Sequence, residues 1–292
     1  MFENIPDSTK RLLVYISNKI QLDESTEEVK SLAYLLMEHI FKIERTDIIL
    51  DRSVNITNGQ KKQLEEALKR LNNNEPIQYI IGETEFYGRS FKINNSVLIP
   101  RGETEELVQL IIKENSGRKI RILDIGTGSG CIPVSLAKEL KGSRVYAIDY
   151  DPRAIKVARK NAELHNVSVD YFLIDILNEP IPVTGLDVIV SNPPYVMDSE
   201  KTDMKENVLQ YEPATALFVR DDDPLIYYRR IAELAKSSLK EHGNLYFEIN
   251  ERFGEDIRAM LEVMDYSNVE ILKDLNGKDR MARATNSIPI LS

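Results

Sequence analysis

The residues Asn192-Pro193-Pro194-Tyr195 point most directly to chemistry. They follow Asp187-Val188-Ile189-Val190-Ser191, a short β-branched apolar run that reads as a buried strand. A polar amide, two prolines and an aromatic ring therefore stand at a strand's carboxyl end, where open α/β sheets bind ligands. Two successive prolines cannot continue a ladder and hold the backbone extended. Their missing N–H groups leave nearby carbonyls to accept hydrogen bonds from something else. Asn192 adds a side-chain carbonyl acceptor, and Tyr195 adds a flat face. Together they form a clamp for a planar NH2 group, with acceptors for its hydrogens and a ring over its plane. Asn-Pro is also a common turn signal, so the stretch alone reads equally well as a plain strand-to-loop turn.

Such a clamp needs a sheet to carry it. From Lys119 onward strands and helices alternate: strands over 121–125, 144–149, 169–174, 186–191 and 244–249, and helices over 131–140, 152–165, 224–240 and 252–264. Two strand-like segments follow, near 268–273 and 280–284. Repeated strand-helix units imply a doubly wound, mostly parallel sheet, here of seven strands, with a closing antiparallel hairpin at one edge. Residues 8–75 read as helices, with Leu12, Leu13, Ile16 and Ile20 in helical period and Ser25 with Glu28 as a capping box. Between Gln78 and Pro100 the runs Tyr79-Ile80-Ile81, Glu85-Phe86-Tyr87-Gly88 and Phe91-Lys92-Ile93 read as a linking β-hairpin.

Composition narrows the field. The chain has 292 residues, 42% of them hydrophobic, enough for one full α/β domain and a smaller one. A formal net charge of -9 supplies no global footprint for a nucleic acid. One cysteine allows no internal disulfide, and three scattered histidines give no metal-ligand spacing. Neither a signal pattern nor an apolar run near the ~20 residues of a membrane span occurs. The expectation is a cytoplasmic, soluble, metal-free protein.

Three further marks precede the clamp. Asp124-Ile125-Gly126-Thr127-Gly128-Ser129-Gly130 joins the first strand of the sheet to its helix, where glycines let the backbone approach a ligand. Asp149, ending the next strand, can accept both hydroxyls of a ribose, although Asp149-Tyr150-Asp151-Pro152 also begins a helix and suits a cap. Asp175, after the third strand, can accept an adenine amino group with Ile176 against the ring; its plain alternative is a solvated loop acid. The four marks fall in chain order at the ends of four successive strands. A dinucleotide fingerprint fails at Cys131, and no Gly-Lys-Ser/Thr follows for a P-loop. Without a phosphate-binding lysine, the cleft suits S-adenosylmethionine.

From about Pro76 to the C-terminus the sequence resembles the HemK-type protein-glutamine N5-methyltransferases, which modify class 1 peptide-chain release factors, within the class I S-adenosylmethionine-dependent methyltransferases. Pro76-Ile77-Gln78-Tyr79-Ile80-Ile81-Gly82, Leu98-Ile99-Pro100-Arg101, Tyr211-Glu212-Pro213 and Asp274-Leu275-Asn276-Gly277 with Arg280 carry it beside the glycine loop and the clamp. The resemblance implies a Rossmann-like catalytic domain over 101–292, a hairpin linker over 76–100 and a helical substrate-recognition domain over 1–75. It implies donor contacts at Gly126, Thr127, Gly128, Ser129, Gly130, Asp149, Asp175, Ile176 and Asn192. A substrate amide is implied at Asn192, Pro193, Pro194 and Tyr195, with Asn192, Pro193 and Tyr195 catalytic. Gly102, Ile176 and Asn250 depart from the family, which usually has proline, an aromatic residue and glycine there. Two other readings stay open: an adenine-N6 methyltransferase acting on DNA or RNA with the same clamp, and a donor-binding protein without catalysis.

Overall fold

The structure, a computed structural model, describes residues 5–287. Its described residues form two compact units, 5–82 with 205–211, and 83–204 with 212–287.

The first unit is helical: α1 (Thr9–Lys19), α2 (Thr26–Leu36), α3 (Arg45–Ile49), α4 (Asn58–Leu71) and α5 (Ile77–Ile81). Leu12, Ile16, Leu36, Leu64, Leu68 and Leu71 recur at helical spacing and are buried in one shared core. A capping box sets the start of α4: Gln60 N–H donates to Thr57 Oγ1 at 3.2 Å, and Thr57 N–H donates to Gln60 Oε1 at 3.0 Å. Tyr79-Ile80-Ile81, expected as a strand, is part of α5 instead. The run is too short for periodicity to separate helix from strand. Pro76 at the N-cap position and Gly82 in the left-handed region (φ 79°) start and stop one helical stretch whose Ile77 joins the helical core.

The second unit opens with a hairpin, β1 (Glu83–Phe86) and β2 (Arg89–Lys92). Its two-residue loop, Tyr87-Gly88, has φ of 51° and 67°, as a twist-matched tight turn requires. Then follow α6 (Gly102–Asn115), β3 (Arg121–Ile125), α7 (Cys131–Glu139), β4 (Arg144–Asp149), α8 (Pro152–Leu164), β5 (Val169–Leu173) and β6 (Leu186–Ser191). After β7 (Val196–Met197), α9 (Glu206–Tyr211), α10 (Ala214–Leu217) and β8 (Phe218–Val219) come α11 (Ile226–Ser238), β9 (Leu239–Glu248), α12 (Gly254–Val263), β10 (Tyr266–Lys273) and β11 (Asp279–Asn286). Of these, α9 belongs to the first unit.

Seven strands pair in the order β10-β11-β9-β6-β3-β4-β5. The five from β9 to β5 are parallel, and β10 and β11 add the antiparallel edge. Both faces are buried, and period-two alternation assigns side chains to them. Leu123, Ile125, Ile189, Leu245 and Phe247 pack with Ile231 of α11 and Ile257 of α12. Ile122, Val188, Val190 and Tyr246 face Leu107 of α6 and Val134 of α7. The chain runs outward from β3 through β4 to β5, then returns to β6 on the other side of β3. That reversal is the switch point at which doubly wound sheets open a crevice. Ser191 Oγ donates to the Ile125 carbonyl at 2.7 Å, tying the ends of β6 and β3 there.

Candidate active site

The carboxyl ends of β3, β4, β5 and β6 open into a cavity of about 350 Å³, a size usual for small-molecule sites. Gly126, Thr127, Gly128, Ser129, Asp149, Asp175, Ile176, Asn192, Pro193 and Pro194 all line it. Gly130 and Tyr195 are not among its lining residues.

Each strand end has its own local cause. Gly126 and Gly128 have φ of 76° and 52°, and a Cβ on either would meet nothing within 4 Å. Gly130 serves packing: a Cβ there would stand 2.9 Å from Ala158 Cβ, so its absence lets α7 approach α8. Asp149 is buried, and its carboxylate accepts from Gly128 N–H at 2.9 Å and Asp151 N–H at 3.0 Å. Burial pushes its carboxyl above the usual range, and those N–H groups oppose the shift. The cap of α8 is Asp151, which accepts from Arg153 N–H at 2.8 Å, so Asp149 holds the glycine loop instead. Asp175 makes a local turn, accepting from Leu177 N–H at 3.0 Å and Asn178 Nδ2 at 2.7 Å.

Beneath the loop lies a group that sequence reasoning left unassigned. Asp124 is fully buried on β3, and no hydrogen bond reaches either carboxylate oxygen or the Thr127 hydroxyl. Desolvation pushes the Asp124 carboxyl up to about 7, with Thr127 nearby only partly offsetting it and Asp149 adding to it.

At the clamp, Asn192 Nδ2 donates to Thr104 Oγ1 at 3.3 Å. Thr104 Oγ1 donates to Glu248 Oε2 at 2.6 Å, and Tyr195 Oη donates to Glu248 Oε1 at 3.0 Å. Tyr195 thus directs its hydroxyl to Glu248, with its ring against the sheet core. Burial drives both groups upward in pKa, and the two hydroxyls oppose this at Glu248. Asn250 braces the turn from behind: its Nδ2 donates to the Tyr195 carbonyl and to Glu200 Oε2, each at 3.2 Å. Gly102 is the first residue of α6 and has open space at its Cβ position, so the helix start takes glycine in place of proline without repacking.

Thr104, Leu98, Pro100, Arg101, Pro213, Ala216, Phe218 and Tyr227 also line the cavity, and the reading from sequence gave none of them a role in the site. Glu212 holds two of these segments together, accepting from Ile99 N–H at 3.3 Å and from Arg101 at 2.5 Å. The available signal was the pair of motifs Leu98-Ile99-Pro100-Arg101 and Tyr211-Glu212-Pro213, which marked the family without locating a contact.

A protein of Bacteroides thetaiotaomicron called release factor glutamine methyltransferase is 46% identical over 94% of this chain and 99% of its own length. The chain belongs to the release factor glutamine methyltransferase family. A relative of the same name from Flavobacterium psychrophilum is 45% identical over 88% of this chain and 92% of its own. Family models described as the methyltransferase small domain and the PrmC N-terminal domain match residues 103–216 and 17–82. Among solved structures, the hMettl16 catalytic domain aligns with a TM-score of 0.55 at 16% identity, over 82% of this chain and 85% of that one. The second unit is therefore a class I methyltransferase fold, and the chain is a methyltransferase. Among the described residues no helix is long and apolar enough to cross a membrane, and no group of three His, Cys, Asp or Glu side chains is placed to hold a metal ion.

Proposed function

We propose that this chain transfers the methyl group of S-adenosylmethionine to the side-chain amide nitrogen of the glutamine in the Gly-Gly-Gln motif of class 1 peptide-chain release factors. One observation carries most of the support: Asn192 and Pro193 line the same cavity as Gly126, Thr127 and Gly128. An amide clamp thus adjoins a loop whose open Cβ positions leave room for a ligand close to the backbone. The residues fit the donor. Gly126, Thr127, Gly128 and Ser129 would hold its amino-acid end, where the buried Thr127 hydroxyl has no partner. Asp149 would take the ribose, Asp175 and Ile176 the adenine, and Asn192 would face the methyl. Gly130 contributes by seating α7.

Bound there, S-adenosylmethionine supplies a sulfonium-activated methyl group. The chain's part is placement and electrostatics. An amide nitrogen is a poor nucleophile because its lone pair is delocalised into the carbonyl. Asn192 Oδ1 and the Pro193 carbonyl accept its two N–H groups, which fixes the nitrogen and stabilises the positive charge it develops. Pro194 stiffens the turn, and Tyr195 anchors it through Glu248. Transfer replaces one N–H bond by N–CH3, and the released proton passes to water. Residues 1–75 take the role of recognising the protein substrate, residues 76–100 link, and residues 101–292 catalyse.

Mass spectrometry of a purified release factor, incubated with this chain and the donor, tests the reading. The expected result is one added methyl group on the glutamine of the Gly-Gly-Gln peptide. An unmodified glutamine, with methyl arriving instead on adenine of DNA or RNA, contradicts it.

A further inference from the structure

We propose that Thr104 and Glu248 are positioning residues that fix which way round the Asn192 amide stands, so that its carbonyl oxygen faces the cavity. The inference rests on the methyl-transfer reading and adds to it how the clamp is kept in its accepting state. The two ends of an asparagine amide have nearly the same shape, so packing alone sets no direction. Only the partner's hydrogen-bond capacity can do so.

The Thr104 hydroxyl has a single hydrogen. Glu248, 1% exposed, takes that hydrogen at 2.6 Å. With a hydroxyl donated to each of its oxygens, Glu248 acts as an acceptor on both sides. Thr104, itself 3% exposed, is therefore left with lone pairs alone to offer Asn192, 3.3 Å away. The group that answers must be the Asn192 NH2, and the carbonyl must point the other way. Glu248 is held in turn: Tyr195 Oη donates to its second oxygen at 3.0 Å, and Tyr228 Oη donates to its main-chain carbonyl at 3.2 Å. Thus the chain of donors runs one way, from Asn192 through Thr104 to Glu248. Reversing it would turn the NH2 toward a substrate NH2, donor against donor.

The plainer account is that these bonds only fasten α6 to β9. Two measurements separate the accounts. The first uses the unsubstituted chain: in its NMR spectra the Asn192 side-chain NH2 should show nuclear Overhauser contacts to the Thr104 γ-methyl. Their absence overturns the proposal. The second is a double-substitution cycle on transfer to a release factor. Thr104→Val should lower kcat about 10- to 100-fold, the scale seen when an outer partner stops orienting an inner ligand, with the KM for the release factor and the donor Kd little changed. Thr104→Ser, which keeps the hydroxyl, should regain most of the loss. In an Asn192→Ala background Thr104→Val should cost nothing more, because the group it orients is gone. Unchanged kcat in Thr104→Val, or a loss that multiplies with that of Asn192→Ala, overturns the proposal. If the unsubstituted chain modifies no release factor while the NH2 contacts are present, the substrate reading falls and the orienting network stands.

Discussion

Asn192→Ala is expected to lower kcat about 10²- to 10³-fold, the range found when one preorganised hydrogen-bonding group is removed from a reacting centre. The size follows from what the side chain does in the proposed reaction. Its carbonyl takes one of the two N–H groups of the substrate amide and meets the charge that grows on nitrogen as the methyl arrives. Truncation removes that acceptor and frees the amide to rotate, so placement and electrostatic stabilisation are lost together. The Pro193 carbonyl remains, which keeps the loss short of abolition. Stability should change little, since Asn192 is only half-buried and its side chain makes one bond, to Thr104. Steady-state rates on a release factor, with donor Kd from calorimetry and a thermal melt, check this. Turnover equal to that of the unsubstituted chain would count against the clamp.

Asp124→Asn is expected to shift the pH dependence of stability by about 4 kcal/mol, from the pKa rise of 3.8 to about 7. The sign follows from linkage. A carboxyl whose folded pKa lies above its unfolded value is protonated in the native state through pH ~4 to ~7, while the unfolded chain ionises. Its contribution is therefore intact below the unfolded pKa and is lost as pH rises through the folded one. Asparagine does not titrate, so the variant gains on the unsubstituted chain between pH ~4 and ~8. Denaturant unfolding at both pH values reads the difference between the two chains. A difference that does not vary with pH would mean that Asp124 is not desolvated as its burial implies.

Much of the fold was legible because its local signals agree with its burial. The β-branched runs at 122–125 and 186–191 stand between helical periods, and both became central strands. Asn-Pro-Pro after β6 and glycines after β3 marked strand ends, and the return of the chain from β5 to β6, beside β3, brought them to one cavity. Ile77–Ile81 escaped because five residues are too few for a resolvable period; a proline before and a glycine after were the better guide. At Gly130 the close approach of α7 to α8 also requires glycine, a tertiary fact that no local sequence signal carries. Thr104 and Glu248 could not be paired from sequence: 144 positions separate them, and neither residue type is unusual at a helix start or a strand end. Arg101 and Glu212, 111 positions apart, hid in the same way inside motifs that could be seen but not placed.

The central claim is that an amide held by Asn192 and Pro193 meets a methyl presented from the Gly126–Gly128 side of the same cavity. A crystal structure of the chain with the product S-adenosylhomocysteine and a Gly-Gly-Gln peptide tests this most directly. The account predicts the glutamine nitrogen within hydrogen-bond reach of Asn192 Oδ1 and the Pro193 carbonyl, with the sulfur facing that nitrogen across the gap a methyl would fill. A sulfur directed away from Asn192, or a glutamine bound elsewhere, would contradict it.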